Sequence, residues 1–173
     1  VLLPDGGRGY LSKIFNDGWM RSYGFSDIED GETVADVLST RALRQAQGPA
    51  GAVRIPDLVH AHPSDTVLEA IGMMTEYDVS QLVVLSAEPP VMMGEVVGTV
   101  DEKGLLDLLF RGEANAADAV GDHVGERLPL IGIHASVADA RAALADADAL
   151  LVTDGGKPHT VLTRQDLLAY LAR

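Results

Sequence analysis

The stretch Val161-Leu-Thr-Arg-Gln-Asp-Leu-Leu168 holds the residues whose types and spacing are best suited to chemistry. Thr163 stands where a helix N-cap belongs, and Asp166 follows one turn later. A hydroxyl and a carboxylate three residues apart at a strand-to-helix corner can face the same pocket. The carboxylate can accept from both hydroxyls of a ribose, and free amides at the helix start can donate to a ligand. The same pair also spells a capping box, in which the fourth residue reaches back to close the helix N-terminus. Taken alone the pattern suits the cap, so the choice between the two readings depends on what surrounds the corner.

The corner needs a strand before it and a helix after it. Leu150–Val152 and Pro158–Leu162 read as the two strands of a hairpin, turned by Asp154-Gly155-Gly156, where positive φ is required. Leu167, Leu168 and Leu171 read as the apolar positions of the closing helix. The same order of elements occurs earlier in the chain. Thr33-Val-Ala-Asp-Val-Leu38 matches Ala119-Val-Gly-Asp-His-Val124, and Asp65-Thr-Val-Leu-Glu-Ala70 matches Ala135-Ser-Val-Ala-Asp-Ala140. Ser80-Gln-Leu-Val-Val84 matches Asp148-Ala-Leu-Leu-Val152, and Val97–Leu106 matches His159–Leu168. This is a divergent internal repeat, each copy predicted as short helix, strand, helix, strand, strand, helix. The first copy is longer only in loops, one at Gly48–Gly51 and one around Glu88-Pro-Pro-Val-Met92. Each unit alone leaves an apolar face open. Packing the two together would bury both faces and leave a cleft for a ligand.

Composition narrows the function classes. The chain has 173 residues, 47% of them hydrophobic, which is enough for one or two small cores. No apolar run is long enough to cross a membrane. With no cysteine, disulfides and thiolate metal sites are excluded. A net charge of −13 argues against nucleic acid and anionic membranes, and favours a ligand with a positive centre. The N-terminus carries no targeting signal and begins at Val, so a cytoplasmic fragment is expected.

Taken together, these residues resemble a CBS-domain pair, or Bateman module. The resemblance rests on the tandem β-α-β-β-α units and on the hydrophobic-Thr-x-x-Asp signature at 161–166. The opening segment LLPDGGRGYLSKIFNDGWM is similar to the C-terminal end of the pyridoxal-phosphate catalytic core of cystathionine β-synthases, and GDHVGERLP and VLTRQDLL resemble the tails of bacterial members. The resemblance implies an α/β (α+β) fold with two repeats packed about a pseudo-twofold. It divides the chain into a core ending (1–25), a linker (26–32), a first repeat (33–118) and a second repeat (119–173). It also implies a regulatory fragment with no catalysis of its own, binding S-adenosylmethionine or an adenine nucleotide as effector. The parent enzyme's pyridoxal phosphate would belong to the missing catalytic domain, and the stretch 26–52 would pass the signal to it. A homodimer through the CBS domains is implied as well. By the same resemblance Asp166 would hold the ribose and Thr163 the ribose or its linked group. Val161 and Leu162 would line the pocket, with Gln165 beside it. Val79, Ser80 and Gln81 would form an adenine wall, and the backbone of Leu58 through His60 would meet the base edge. The first copy departs from the signature, with Asp101 and Gly104 where Thr and Asp should stand, so one ligand site per chain is expected. A ligand-free structural or dimerisation module is the alternative.

Other constellations are weaker. His60 and His62 alternate on an extended segment and could share a face. A metal there would need a third ligand, with Asp57 or Asp65 nearby in sequence. Surface or turn histidine is the plainer account, and no metal is expected. Asp5–Gly9 lacks the spacing of a phosphate loop, and no Ser/His/Asp set has a recognised arrangement.

Overall fold

Thr66 and Glu69 open a helix as their spacing predicts. The Thr66 side chain accepts from the Glu69 amide, and the Glu69 carboxylate accepts from the Thr66 amide at 2.8 Å. The Thr66 amide, and after it the Thr66 hydroxyl donating to the same carboxylate at 2.9 Å, hold Glu69 below the usual carboxylate range. The computed structural model describes residues 31–47 and 56–172. The predicted catalytic-core ending, most of the linker and the 48–51 loop lie outside the described residues.

The elements run α1 (Val34–Ala46), β1 (His60–Ala61), α2 (Val67–Tyr77), β2 (Gln81–Leu85), β3 (Val96–Asp101) and α3 (Glu102–Arg111). They continue with β4 (Leu130–Gly132), α4 (Val137–Asp146), β5 (Ala149–Asp154), β6 (Lys157–Thr163) and α5 (Arg164–Leu171). Two three-stranded sheets result, in the orders β1-β2-β3 and β4-β5-β6. In each, the first pair is parallel and the second antiparallel, as a repeat requires. The hairpin between β5 and β6 turns on Gly155 and Gly156, both at positive φ. The short helix expected at the start of the second copy is a single 3₁₀ turn, Val120–His123. There Gly121 lies against Pro63, whose carbonyl oxygen would sit 2.9 Å from an added Cβ.

The described chain forms two compact units, and they do not follow the order of the repeats. One joins α1 to everything from Pro129 onward, and the other spans Gln47–Leu128. Backbone bonds show why. Thr33 bridges Ser136, and the Val34 and Ala35 amides donate to Ala135 and Ile133. Equivalently, Ala119 bridges Thr66, and the Val120 amide donates to Asp65. Each copy's leading segment is therefore stitched onto the other copy's central helix start.

In the first unit Val34, Val37, Leu144, Leu150, Leu162 and Tyr170 form the core. In the second, Val67, Met74, Leu82, Val84, Val100 and Leu105 do so. The middle strands β2 and β5 are buried on both faces, which explains their continuous apolar runs. By contrast β3 alternates, with Gly98 inward. An added Cβ at Gly98 would overlap the Gly125 carbonyl and the Val124 side chain, because the 124–126 segment pairs with Thr99. Gly98→Ala should therefore cost ~1–3 kcal/mol by overpacking. Gly72→Ala in α2, with open space at its Cβ, should be neutral or stabilising by roughly 0.5–1 kcal/mol. Paired urea melts check both. A comparable loss at the two sites would contradict the packing at Gly98.

Among the described residues, no helix is long and apolar enough to cross a membrane.

Candidate functional site

Strand β6 ends at Thr163 because its side chain turns to cap α5. Thr163 sits in extended backbone (φ −116, ψ 167), and its hydroxyl accepts from the Asp166 amide. Asp166 Oδ2 accepts from the Thr163 amide at 2.9 Å and from its hydroxyl at 3.0 Å. The capping box is thus fully formed. Asp166 is nevertheless more than a cap. The Arg41 guanidinium of α1 reaches the same corner, with Nη1 2.9 Å from the Val161 carbonyl and 3.5 Å from Asp166 Oδ2. Its Nη2 donates to the Thr160 hydroxyl at 2.7 Å. Arg44, one turn on, donates to the Ala169 carbonyl of α5. Arg164 faces away, donating from Nε to Leu144 at 2.7 Å.

All of the burden on the carboxylate falls on Oδ2. Oδ1 carries no hydrogen bond among the described residues, and the Asp166 side chain remains 15% exposed. The corner thus offers a half-buried carboxylate oxygen able to accept from a vicinal diol. Beside it is a guanidinium that keeps local charge near neutral and has donors for an anionic group. Val161 is half-buried and Gln165 exposed. Leu162 is fully buried in the core, so only its backbone can face a ligand.

The residues assigned from the first copy lie in the other unit. Val79 packs against that unit's core, Ser80 accepts from the Glu102 amide at 3.0 Å, and Gln81 opens β2 opposite Asp101. Leu58 is buried, and His60 opens β1 opposite Val83. Asp101 caps α3, accepting from the Gly104 amide at 2.8 Å. Its carboxylate lies over Gly104, where a Cβ would stand 2.9 Å from Oδ2. The two helix starts thus share their place in the repeat but differ in chemistry. At α5 the carboxylate reaches back from inside the helix, whereas at α3 it is the cap itself.

Arg41 was not singled out by the sequence. Arg41 and Arg44 at i and i+3 on a short helix were the available signal, since that spacing puts both on one face. Their partners lie some 120 residues away, which no local pattern reveals.

Residues 50–111 match the CBS domain family. The curated cystathionine beta-synthase of Dictyostelium discoideum is 25% identical across the whole chain, which spans 34% of that protein's length. Among solved structures, the CBS-pair protein CBSX2 of Arabidopsis thaliana superposes with a TM-score of 0.60 at 22% identity, over 82% of this chain and 95% of that one. CBSX2 in complex with AMP gives 0.58 at 22% identity, over 82% and 97%. A CBS-domain protein from Agrobacterium tumefaciens gives 0.61 at 17% identity, over 84% and 98%. Residues 50–111 are thus similar to a CBS domain, and the chain has the mixed α+β fold of CBS-domain pairs.

Proposed function

We propose that the chain is a regulatory module that takes an adenosyl ligand at the Thr163–Asp166 corner. On this reading it prefers S-adenosylmethionine to AMP or ATP, and controls a cystathionine β-synthase catalytic domain elsewhere in a longer protein. The carrying observation is the division of labour within Asp166, with Oδ2 holding the cap and Arg41 while Oδ1 is left for a ribose. The AMP complex of CBSX2 supports the ligand class, and the Dictyostelium relative supports the parent enzyme. The net charge of −13 favours a sulfonium over a triphosphate. Arg41 and Arg44 supply a route for the signal, because α1 is bonded to the corner and leads back toward the N-terminal segment. Control then requires that the ligand bind two arrangements of the module with different affinity. The protein would act as a homodimer in the cytoplasm, and pyridoxal phosphate would reside in the catalytic domain alone.

The ligand-free structural reading draws on one observation of its own, that Asp166 already has partners in Thr163 and Arg41. Calorimetry with S-adenosylmethionine, AMP and ATP decides between them. Saturable binding of S-adenosylmethionine, tighter than either nucleotide, is the expected result. At a free concentration a hundred times Kd, the ligand should also stabilise the fold by about 2.7 kcal/mol in a thermal-shift assay. Absence of heat and of thermal shift with all three would leave the structural reading standing.

A further inference from the structure

We propose that His60, His62 and Glu88 form a divalent metal site, for which zinc is the best-fitting ion. Extended backbone at β1 puts His60 and His62 on one face, while Ala61 between them is fully buried on the other. Their rings meet edge to face, with centroids 5.2 Å apart. Glu88 comes from the proline-containing loop after β2, one of the two loops that make the first copy longer than the second. Its Oε2 lies 3.6 Å from His60 Nε2, and its Oε1 lies 3.5 Å from His62 Nε2.

Three features distinguish this from a chance meeting of exposed groups. The first is distance. Separations of 3.5–3.6 Å exceed an N–H···O hydrogen bond, which lies at about 2.7–3.2 Å. They approach the edge of a tetrahedron around zinc, about 3.3 Å for metal–ligand bonds near 2.05 Å. The donor atoms all lie within 4.8 Å of one another, and among the described residues no other group of three does so. The second is tautomer. His60 Nδ1 is 3.1 Å from the Leu58 carbonyl, which can only accept. In the neutral ring the proton therefore sits on Nδ1, and Nε2 presents its lone pair toward Glu88. The third is support from outside the triad. Asp65 Oδ2, which holds the His62 amide at 2.7 Å, stands 3.8 Å from His62 Nδ1. Both rings thus turn Nε2 toward the shared carboxylate; His60 Nδ1 is held by the Leu58 carbonyl, as metal-binding imidazoles are oriented, while Asp65 lies near His62 Nδ1 but beyond hydrogen-bond distance.

The donor set selects the ion. Two imidazoles and one carboxylate suit zinc, and too few oxygens converge for calcium or magnesium. Glu88 is 78% exposed on its side chain, so ions reach the site from solvent and the fourth position is open to water. Bound metal would tie the loop carrying Glu88 to β1. Asp65 and Asp57, the third-ligand candidates by sequence proximity, are not the ones used; Asp65 lies on the far nitrogen of His62.

The test uses the untagged, chelator-treated full chain, titrated with ZnCl2 by calorimetry and with CoCl2 by visible absorption. One zinc per chain is expected, with cobalt giving the intense bands of a four-coordinate site. His62→Ala and Glu88→Gln should each weaken zinc binding at least tenfold and bleach the cobalt bands, with far-ultraviolet circular dichroism unchanged. Failure of the wild type to bind either ion would overturn the proposal. So would uptake that survives both substitutions, since that would be loose association with an acidic surface. The Asp166 ligand plays no part in either readout.

Discussion

Asp166→Ala is expected to abolish S-adenosylmethionine binding. Two hydrogen bonds from a ribose to a charged acceptor are worth roughly 3 kcal/mol or more together, a loss beyond a hundredfold in affinity. The same substitution strips the Thr163 amide of its acceptor and removes half of the capping box, at a cost of about 0.5–2 kcal/mol in stability. It also leaves Arg41 with the Val161 carbonyl and Thr160 hydroxyl alone. Asp166→Asn separates the two effects. An amide oxygen still caps α5, so stability should fall by less than 1 kcal/mol, while the lost charge weakens the ribose contact by roughly tenfold. Calorimetry and urea unfolding on both variants make the comparison. Wild-type affinity in the alanine variant would remove Asp166 from the site.

The second large effect is expected at Leu150. It is fully buried in the middle strand of its sheet, directly opposite Leu162 and two residues along β6 from Arg41's contact at Thr160. Leu150→Ala removes three carbons from a core that has little room to collapse, at a cost of ~2–5 kcal/mol. That is a large fraction of the 5–15 kcal/mol typical of a folded domain. The urea midpoint should fall sharply with little change in slope. The variant touches none of the ligand-facing atoms, so saturating S-adenosylmethionine should recover part of the lost stability by mass action. A loss under 1 kcal/mol would mean that the β5–β6 core is not packed as described.

Why some of this was legible in the sequence and some was not follows from the range of the interactions. The Thr163–Asp166 cap is local, three residues long, and its pattern is its mechanism. The hairpin at Gly155-Gly156 is equally local, since only glycine adopts both of its φ values, 53° and 80°, without strain. The repeat was visible in part because β2 and β5 carry the apolar runs Leu82–Leu85 and Ala149–Val152, buried on both faces. The placement of α1 was not visible. Its apolar residues show that it buries a face, but not against which sheet. The partners of Arg41 were hidden for the same reason. Leu162 shows a further limit, since a residue within a ligand signature can still send its side chain to the core. Glu88 lies in an irregular proline turn without periodicity, and its approach to His60 and His62 depends on the path of the loop after β2. Proximity along the chain pointed to Asp57 and Asp65 instead.

The exchange of leading segments has a consequence for how the protein is made. The unit spanning Gln47–Leu128 is continuous and holds every strand and helix of its core. It can close as soon as those residues leave the ribosome. The other unit is split. Val34 and Val37 emerge before the continuous unit, but the strands and helices they bury against begin only after Pro129. During synthesis α1 must wait, its apolar face without its sheet, until β4 to β6 and α5 have emerged. Tyr170, near the end of α5, is among the side chains that complete that core. The Thr163–Asp166 corner can thus form only after the unit spanning Gln47–Leu128 has had all of its residues available.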